Sequence, residues 1–317
     1  SGWPPVGPDL MPYAGASNIA GVQQWRKYMK AYVSPAAIGT DGKKMPQSAE
    51  NGALPGPQWT DANQAAGIAN AQKLLGGIGI DTWYMDAGYN VGKPFPYSQG
   101  NWTADPARFA GGSLAAVGAA AKAAGLRFLV WFEPERVMPD TELYAKPQYL
   151  HPAPVDLPPQ FAYQKDWRLF DLGNPEALEY AKTTLSGLLK EWGVSTYRQD
   201  FNIDPSYFWL AHDRLNGPQR VGWAEMKHVE GLYALWDHLT ATIPGLIIDN
   251  CASGGRRLDI ELISRSITLW RSDIAFKNNA QQAIAYGINH WLPYTGLGSQ
   301  DPAPEDFRTG LGTSQTY

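Results

Sequence analysis

Acidic residues follow several short apolar runs of this 317-residue sequence, and together they could carry out chemistry. Asp86, Glu133, Asp200, Asp249 and Asp273 each stand at or just after the end of such a run. In an α/β barrel, the carboxyl ends of the strands meet at one rim, where the active site lies. Burying a carboxylate costs free energy unless it is paired, and stability alone gives no reason to place so many on one rim. The pattern therefore predicts an active site there.

Two kinds of chemistry use a rim of carboxylates. Asp86, Glu133 and Asp200 could hold a divalent cation in a metal-dependent lyase or isomerase. Alternatively, one carboxylate attacks the anomeric carbon of a sugar and another protonates the leaving oxygen, as in glycoside hydrolysis. The same rim carries Arg198, Arg256 and Arg271. They favour the second interpretation, because a guanidinium competes with a metal ion but pairs well with carboxylates and sugar hydroxyls.

The acids must be positioned by elements that alternate along the chain. The predicted helices cover residues 22–32, 61–75, 113–124, 175–192, 221–242, 256–264 and 279–286, and the predicted strands cover residues 81–86, 127–132, 195–199, 246–250, 266–271 and 290–294. Short strands that alternate with helices indicate parallel βα units. No Gly-rich phosphate-binding motif follows the first strands, so an open dinucleotide-binding sheet is not expected. We predict an α/β fold, a (β/α)8 TIM barrel.

Composition limits the possible partners. The net charge of −4, without a cluster of Lys or Arg, excludes a nucleic-acid partner. Apolar runs such as 127–132 are too short to cross a membrane. The aromatic content of 12% suits stacking against sugar rings, which favours a carbohydrate partner. Under the glycosidase interpretation we expect no metal or other cofactor. Cys251 is the single cysteine, which leaves no internal disulfide. No signal-peptide pattern is present, and neither a compartment nor an oligomeric state is indicated.

Six segments of the chain resemble, in the same order, motifs of the α-galactosidases of glycoside hydrolase family 36. They are 84–89 (YMDAGY), 131–137 (WFEPERV), 172–176 (LGNPE), 197–202 (YRQDFN), 251–257 (CASGGRR) and 270–273 (WRSD). The resemblance implies a retaining, exo-acting α-galactosidase that removes terminal α-linked galactose by double displacement. Residues 59–317 would form the catalytic barrel. Residues 1–58, rich in Pro and Gly, would form an N-terminal linker or cap. The β-domains that flank the barrel in this family find no counterpart here, so we expect an excised or minimal barrel.

The resemblance assigns the two catalytic roles. Asp200 matches the family's nucleophile, with Arg198-Gln199-Asp200 in place of the usual Lys-Trp-Asp, and Asp273 matches the acid/base. Arg198 lies two residues before Asp200 and therefore projects on the same side of a strand, where its charge favours an ionised carboxylate.

A sugar subsite is implied by the same resemblance. Asp86 would bind O4 and O6 of galactose, and Arg198 would donate to O3 and O4. Trp59 and Trp131 would lie beside the sugar, and Asn202 would contact the hydroxyl on C2.

Other matched positions concern the sugar's C2 side and departures from the family pattern. Cys251 and Gly254 would leave room on C2 only for a hydroxyl, which favours galactose over N-acetylgalactosamine. Arg256 would brace the acid/base. The family's second acid and its Trp are replaced here by Ala87 and Tyr89, which changes the expected recognition of O4 and O6.

Alternatives remain open at this point. An α-N-acetylgalactosaminidase or another α-glycosidase would use the same machinery, and a catalytically inactive sugar-binding barrel belongs to a different class. Glu133 and Glu135 are predicted to hold loops or pair with arginines. The five histidines (His151, His212, His228, His238 and His290) have no metal-ligand spacing and are interpreted as surface or core residues.

Overall fold

A computed structural model describes residues 18–33, 48–50, 59–75, 81–267, 272–273, 283–284, 286–288 and 290–292. The chain divides into two compact units. The larger unit comprises residues 46–248, and the smaller one combines residues 1–45 with 249–317. The predicted boundary at residue 58 stays a prediction.

The larger unit is built on a parallel sheet. Its strands are β1 (Ser48–Glu50), β2 (Thr82–Met85), β3 (Arg127–Phe132), β6 (Thr196–Gln199) and β7 (Ile247–Asn250), in the spatial order β1-β2-β3-β6-β7. Strands β2, β6 and β7 are buried along their whole length, as expected where helices cover both faces of a parallel sheet. The chain passes into the smaller unit within β7.

Helices alternate with these strands, as the periodicity predicts. The larger unit contains α2 (Asp61–Leu75), α3 (Ala115–Ala123), α4 (Pro175–Glu191), α5 (Ser206–Leu215) and α6 (Trp223–Thr242). Helix α4 begins as predicted, because the Asn174 side chain accepts a hydrogen bond from the Glu176 amide at 2.9 Å and Pro175 needs no amide partner at the first position.

Three features of the larger unit were not predicted. Strand β1 lies in the segment predicted as a linker or cap, helix α5 was missed, and so was an antiparallel ribbon of β4 (Arg136–Val137) and β5 (Arg168–Leu169). Strands of two residues carry no readable periodicity, and their pairing joins segments about thirty residues apart. Tertiary packing alone reveals them.

The smaller unit contains α1 (Asn18–Tyr28), a π-helical turn (Met29–Val33) and α7 (Ile260–Ile263). Met29, Val33 and Ile263 form its buried cluster, with Trp25 and Leu292 packed against it. The indole N–H of Trp25 donates to the carbonyl of Trp291 at 2.8 Å. This bond joins segments 266 residues apart in the chain.

Some predicted elements of the smaller unit were wrong. The helix predicted over 256–264 is confined to α7, because Asp259 caps it by accepting from the Leu262 amide at 2.9 Å. His290 and Trp291 form a turn instead of a strand. In the strand predicted over 266–271, Ile267 pairs in parallel with Asp249, whereas 268–271 lie outside the described residues. Across the ranges described above, no helix is long and apolar enough to span a membrane.

Two helical glycines allow a paired test of packing. A Cβ at Gly118 in α3 would lie 1.8 Å from the carbonyl oxygen of Trp192, whereas a Cβ at Gly187 in α4 would meet nothing within 4 Å. We expect Gly118→Ala to lower the free energy of unfolding by about 1–3 kcal/mol through overpacking. Gly187→Ala should raise it by up to about 1 kcal/mol, since alanine favours the helix. Chemical denaturation of both variants measures this, and a stabilised Gly118→Ala would contradict the close packing.

Candidate active site

Asp200 lies directly after β6, at the carboxyl end of the sheet. Strands β3 and β6 pair with Trp131 opposite Arg198, which brings the residues after both strands together. The Asp200 carboxylate accepts hydrogen bonds from the Trp131 indole at 3.1 Å, the Asn202 side-chain amide at 2.8 Å and the Phe201 backbone amide at 2.7 Å. The side chain is thus held in one orientation, as a nucleophile requires.

Glu133 lies beside this carboxylate, two residues after Trp131. It is buried, accepts a hydrogen bond from the Asn202 backbone amide, and forms an ion pair with Arg136. This pair confirms the prediction that Glu133 bridges to an arginine. Burial raises the pKa of Glu133 to about 7, and the Asp200 charge adds to the rise while the Arg136 charge opposes it.

The raised pKa of Glu133 predicts a pH-dependent stability. The native protein binds the proton of the Glu133 carboxyl more tightly than the unfolded chain does. The resulting stabilisation of the native state is complete below the ordinary pKa of 4.5 and is lost as the pH rises through about 7. Between about pH 5 and pH 8, the free energy of unfolding of the wild type should therefore fall about 2–3 kcal/mol more than that of Glu133→Gln. Urea denaturation at both pH values measures it, with the exposed Glu225→Gln as control. Parallel pH profiles for wild type and Glu133→Gln would contradict the shift.

Asp86 and Arg198 form the second polar group of the rim. Asp86 follows β2 and accepts a hydrogen bond from the Ala87 amide at 2.6 Å. Burial raises its pKa, the Arg198 charge opposes this rise, and the Asp200 charge adds to it. The guanidinium of Arg198 lies 5.6 Å from the centre of the Tyr84 ring. The predicted residues Asp86, Arg198 and Asp200 are thus electrostatically coupled, and Tyr84 is a neighbour that the sequence did not single out.

Of the aromatic residues near the predicted site, one bonds to Asp200 and two lie in the core. Trp131 belongs to the Asp200 cluster. Trp59 is buried just before α2, and no described hydrogen bond joins it to that cluster. Tyr89, at the position of the family's Trp, points into the core: its hydroxyl donates to the Trp131 carbonyl at 3.0 Å, and its ring meets Phe132 edge-on. Tyr89 supports Trp131 from beneath.

A buried polar network lies beneath the rim. Gln199, next to Asp200, donates to Glu135 at 2.7 Å and accepts from the Trp236 indole at 2.7 Å. Glu135 also lies 2.9 Å from Nε2 of His228. The partners of Glu135 thus include a glutamine and a histidine, which the sequence did not predict. These bonds fix the end of β6, on which the orientation of Asp200 depends.

The fold gathers histidines that are far apart in the sequence. The Nδ1 atoms of His151 and His212 lie 2.9 Å apart, and Asp171 lies 3.2 Å from Nε2 of His151. In the part of the chain that the structure describes, these three residues are the one group of three or more whose ligand atoms are close enough to share a metal ion. The acids of the metal-dependent alternative, Asp86, Glu133 and Asp200, do not form such a group.

The smaller unit holds the remaining predicted residues. Cys251 is buried, and its sulfur accepts from the Gly254 amide at 3.4 Å. Gly254 pairs with Ser272, and a Cβ at Gly254 would lie 2.6 Å from the Cα of Ser272 and 2.9 Å from the amide nitrogen of Asp273. The loop therefore packs directly against the backbone of Asp273.

The backbone of Gly254 and the side chain of Arg256 both shape this loop. Gly254 has φ +87°, a left-handed conformation that glycine adopts without strain. The Arg256 side chain donates to the Ala252 carbonyl at 3.1 Å and to the Ser253 hydroxyl at 2.8 Å, so it braces its own loop. The Asp273 side chain is exposed, while its backbone amide lies against Gly254.

The sequence as a whole matches a known family. The melibiase family model matches residues 60–316. The chain belongs to this family. This confirms the resemblance to the α-galactosidases of glycoside hydrolase family 36. Among curated proteins, the α-galactosidase of Escherichia coli is 26% identical over 226 residues, 70% of this chain and 30% of that protein. The bifunctional α-galactosidase/sucrose kinase AgaSK of Mediterraneibacter gnavus is 26% identical over 250 residues, 78% of this chain and 25% of that protein.

Solved structures confirm the barrel fold of this melibiase-family chain. The α-galactosidase of Lactobacillus brevis superposes with a TM-score of 0.77 at 24% identity, covering 92% of this chain and 38% of that one. A variant of the family 36 α-galactosidase AgaA of Geobacillus stearothermophilus, in complex with stachyose, gives 0.74 at 21% identity, covering 90% and 38%. The chain thus spans well under half the length of these relatives.

Proposed function

We propose that this chain is the catalytic barrel of a retaining exo-α-galactosidase, which removes terminal α-linked galactose from oligosaccharides or glycoconjugates. The observation that carries the proposal is the carboxylate of Asp200, held by Trp131 and Asn202 at the carboxyl end of the parallel sheet. The curated relatives named above are α-galactosidases, and this supports the same reaction here. AgaA variants in complex with stachyose and raffinose support oligosaccharides as the substrate class.

The reaction proceeds by double displacement. In the first step, an oxygen of Asp200 attacks the anomeric carbon as the bond to the glycosidic oxygen breaks, and Asp273 gives its proton to that oxygen. The leaving alcohol departs, and galactose stays bound to Asp200 as an ester. In the second step, Asp273 takes a proton from water as the water oxygen attacks the anomeric carbon. The ester bond to Asp200 breaks, and galactose is released with retained anomeric configuration. This mechanism needs a distance of about 5–5.5 Å between the two carboxyl groups.

The sugar-binding roles follow the resemblance. Asp86 and Arg198 bind the O4 side of galactose, Trp59 and Trp131 lie beside the ring, and Asn202 contacts the C2 hydroxyl while also donating to Asp200. The electrostatic coupling of Asp86 with Arg198 and Asp200 supports these roles.

Selectivity at C2 depends on the loop of the smaller unit. The resemblance assigns Cys251 and Gly254 to the C2 side of the sugar, and the close packing of Gly254 against Ser272 and the buried thiol of Cys251 support a compact loop that would accept only a hydroxyl. Arg256 stiffens this loop beside the proposed acid/base, Asp273. We therefore propose galactose as the preferred sugar.

Parallel assays test the proposal. The purified protein should hydrolyse nitrophenyl α-galactoside and act much more slowly on nitrophenyl α-N-acetylgalactosaminide. Hydrolysis of the acetamido sugar alone would replace the proposal with an α-N-acetylgalactosaminidase. Galactoside binding without turnover would indicate an inactive sugar-binding barrel, and activity lost on chelation would favour the metal-dependent class.

A further inference from the structure

A row of rings and one guanidinium leads from Asp200 towards the surface of the larger unit. Trp131, which donates to Asp200, meets the Phe95 ring edge-on at 5.8 Å. The guanidinium carbon of Arg136 lies 5.5 Å from the centre of the Phe95 ring and 5.4 Å from that of Trp167. Trp167 meets Tyr163 edge-on at 5.2 Å. The row is continuous from the proposed nucleophile outward.

Two aromatic rings of this row, one near Trp131 and one at the far end, are open to solvent. Phe95 is 42% exposed and Tyr163 is 58% exposed. Exposed aromatic rings that continue from a polar site are typical of a binding surface. The row is therefore available to a ligand that already occupies the Asp200 site.

The guanidinium between the rings is held in place from the protein side. Arg136 is buried, pairs with Glu133, and belongs to β4, whose partner β5 follows directly after Trp167. A planar cation fixed between two rings keeps them in a defined arrangement. The row thus has the rigidity that a binding platform needs, because little side-chain entropy is lost when a ligand binds.

We propose that Phe95, Trp167 and Tyr163 bind the sugar residues on the leaving-group side of the scissile bond. This inference rests on the proposed function and names its preferred substrates as galactosides whose leaving group consists of one or more sugar residues. Aromatic side chains offer a flat apolar face that matches the C–H face of a hexose. Phe95, nearest to Trp131, contacts the first sugar beyond galactose, and Tyr163 contacts a more distant one.

The test compares substrates of increasing length on single variants of the purified protein. For each variant we take the ratio of kcat/KM for melibiose, raffinose or stachyose to kcat/KM for nitrophenyl α-galactoside. Phe95→Ala should lower this ratio about three- to tenfold for all three oligosaccharides. Tyr163→Ala should lower it by a similar factor only for the longer ones. Tyr32→Ala, at a tyrosine of the smaller unit that is 62% exposed, is the matched control.

The outcomes separate this inference from the function on which it rests. If nitrophenyl α-galactoside is hydrolysed but both ratios keep the wild-type value, the subsite is overturned and the α-galactosidase proposal stands. A ratio that falls equally for Tyr163→Ala and Tyr32→Ala would also overturn the subsite. If no α-galactoside is hydrolysed, both proposals fail together. A length-dependent loss confined to Phe95→Ala and Tyr163→Ala supports the platform.

Discussion

Asp200→Ala is expected to lower kcat/KM for α-galactosides by at least about 10⁴-fold, because without this carboxylate no glycosyl-enzyme ester can form. The remaining binding groups leave some affinity for the sugar, so KM should change far less than kcat. Steady-state kinetics on nitrophenyl α-galactoside measures the loss. In the wild type, a fluorinated galactosyl inactivator should label the peptide that contains Asp200.

The control for this variant is Asp237→Ala, which changes an exposed aspartate on α6 of the same unit. It should keep wild-type activity. Thermal melting of Asp200→Ala shows whether a loss of activity reflects unfolding, since Asp200 accepts three hydrogen bonds. A folded Asp200→Ala protein that keeps more than about a tenth of its activity, or a label on another peptide, would rule out Asp200 as the nucleophile.

Asp273→Ala is expected to give a loss that depends on the leaving group. Hydrolysis of raffinose should fall about 10²–10⁴-fold, because the sugar alkoxide needs the proton of the general acid. A nitrophenolate leaves without a proton, so formation of the glycosyl-enzyme from nitrophenyl α-galactoside should be much less affected. Hydrolysis of the glycosyl-enzyme becomes slow, because the attacking water then lacks a general base. Stopped-flow measurement should therefore show a burst of nitrophenolate followed by slow turnover.

Asp273→Asn serves as the matched variant, since it keeps the shape of the side chain beside Gly254. It should behave like Asp273→Ala if the role is proton transfer. The alkaline limb of the pH profile should disappear in both variants. Equal losses on raffinose and on nitrophenyl α-galactoside, without a burst, would assign Asp273 to binding or folding instead.

Local signals explain which elements could be predicted. Strand β3 and helix α2 have the predicted bounds, and α4 begins at its predicted cap, because apolar spacing and capping residues act within a few positions. The helix predicted from residue 256 was wrong. The Arg256 side chain bonds to the Ala252 carbonyl and the Ser253 hydroxyl, and the chain stays non-helical until Asp259 caps α7. Side-chain bonds within such a loop compete with the helical pattern and leave no period in the sequence.

The amino-acid sequence by itself determined the family, the alternation of strands and helices, and the acids that follow each strand, since all of these are encoded in neighbouring residues. Only the tertiary structure decided which distant groups meet. Pairing of β3 with β6 brings Trp131 and Glu133 to Asp200 and Asn202, about 69 positions away in the chain. Packing turns Tyr89 into the core and gathers His151 with His212. The physical reason is that strand register and side-chain burial depend on the free energy of the whole core. No single segment contributes enough of it to determine which distant groups meet.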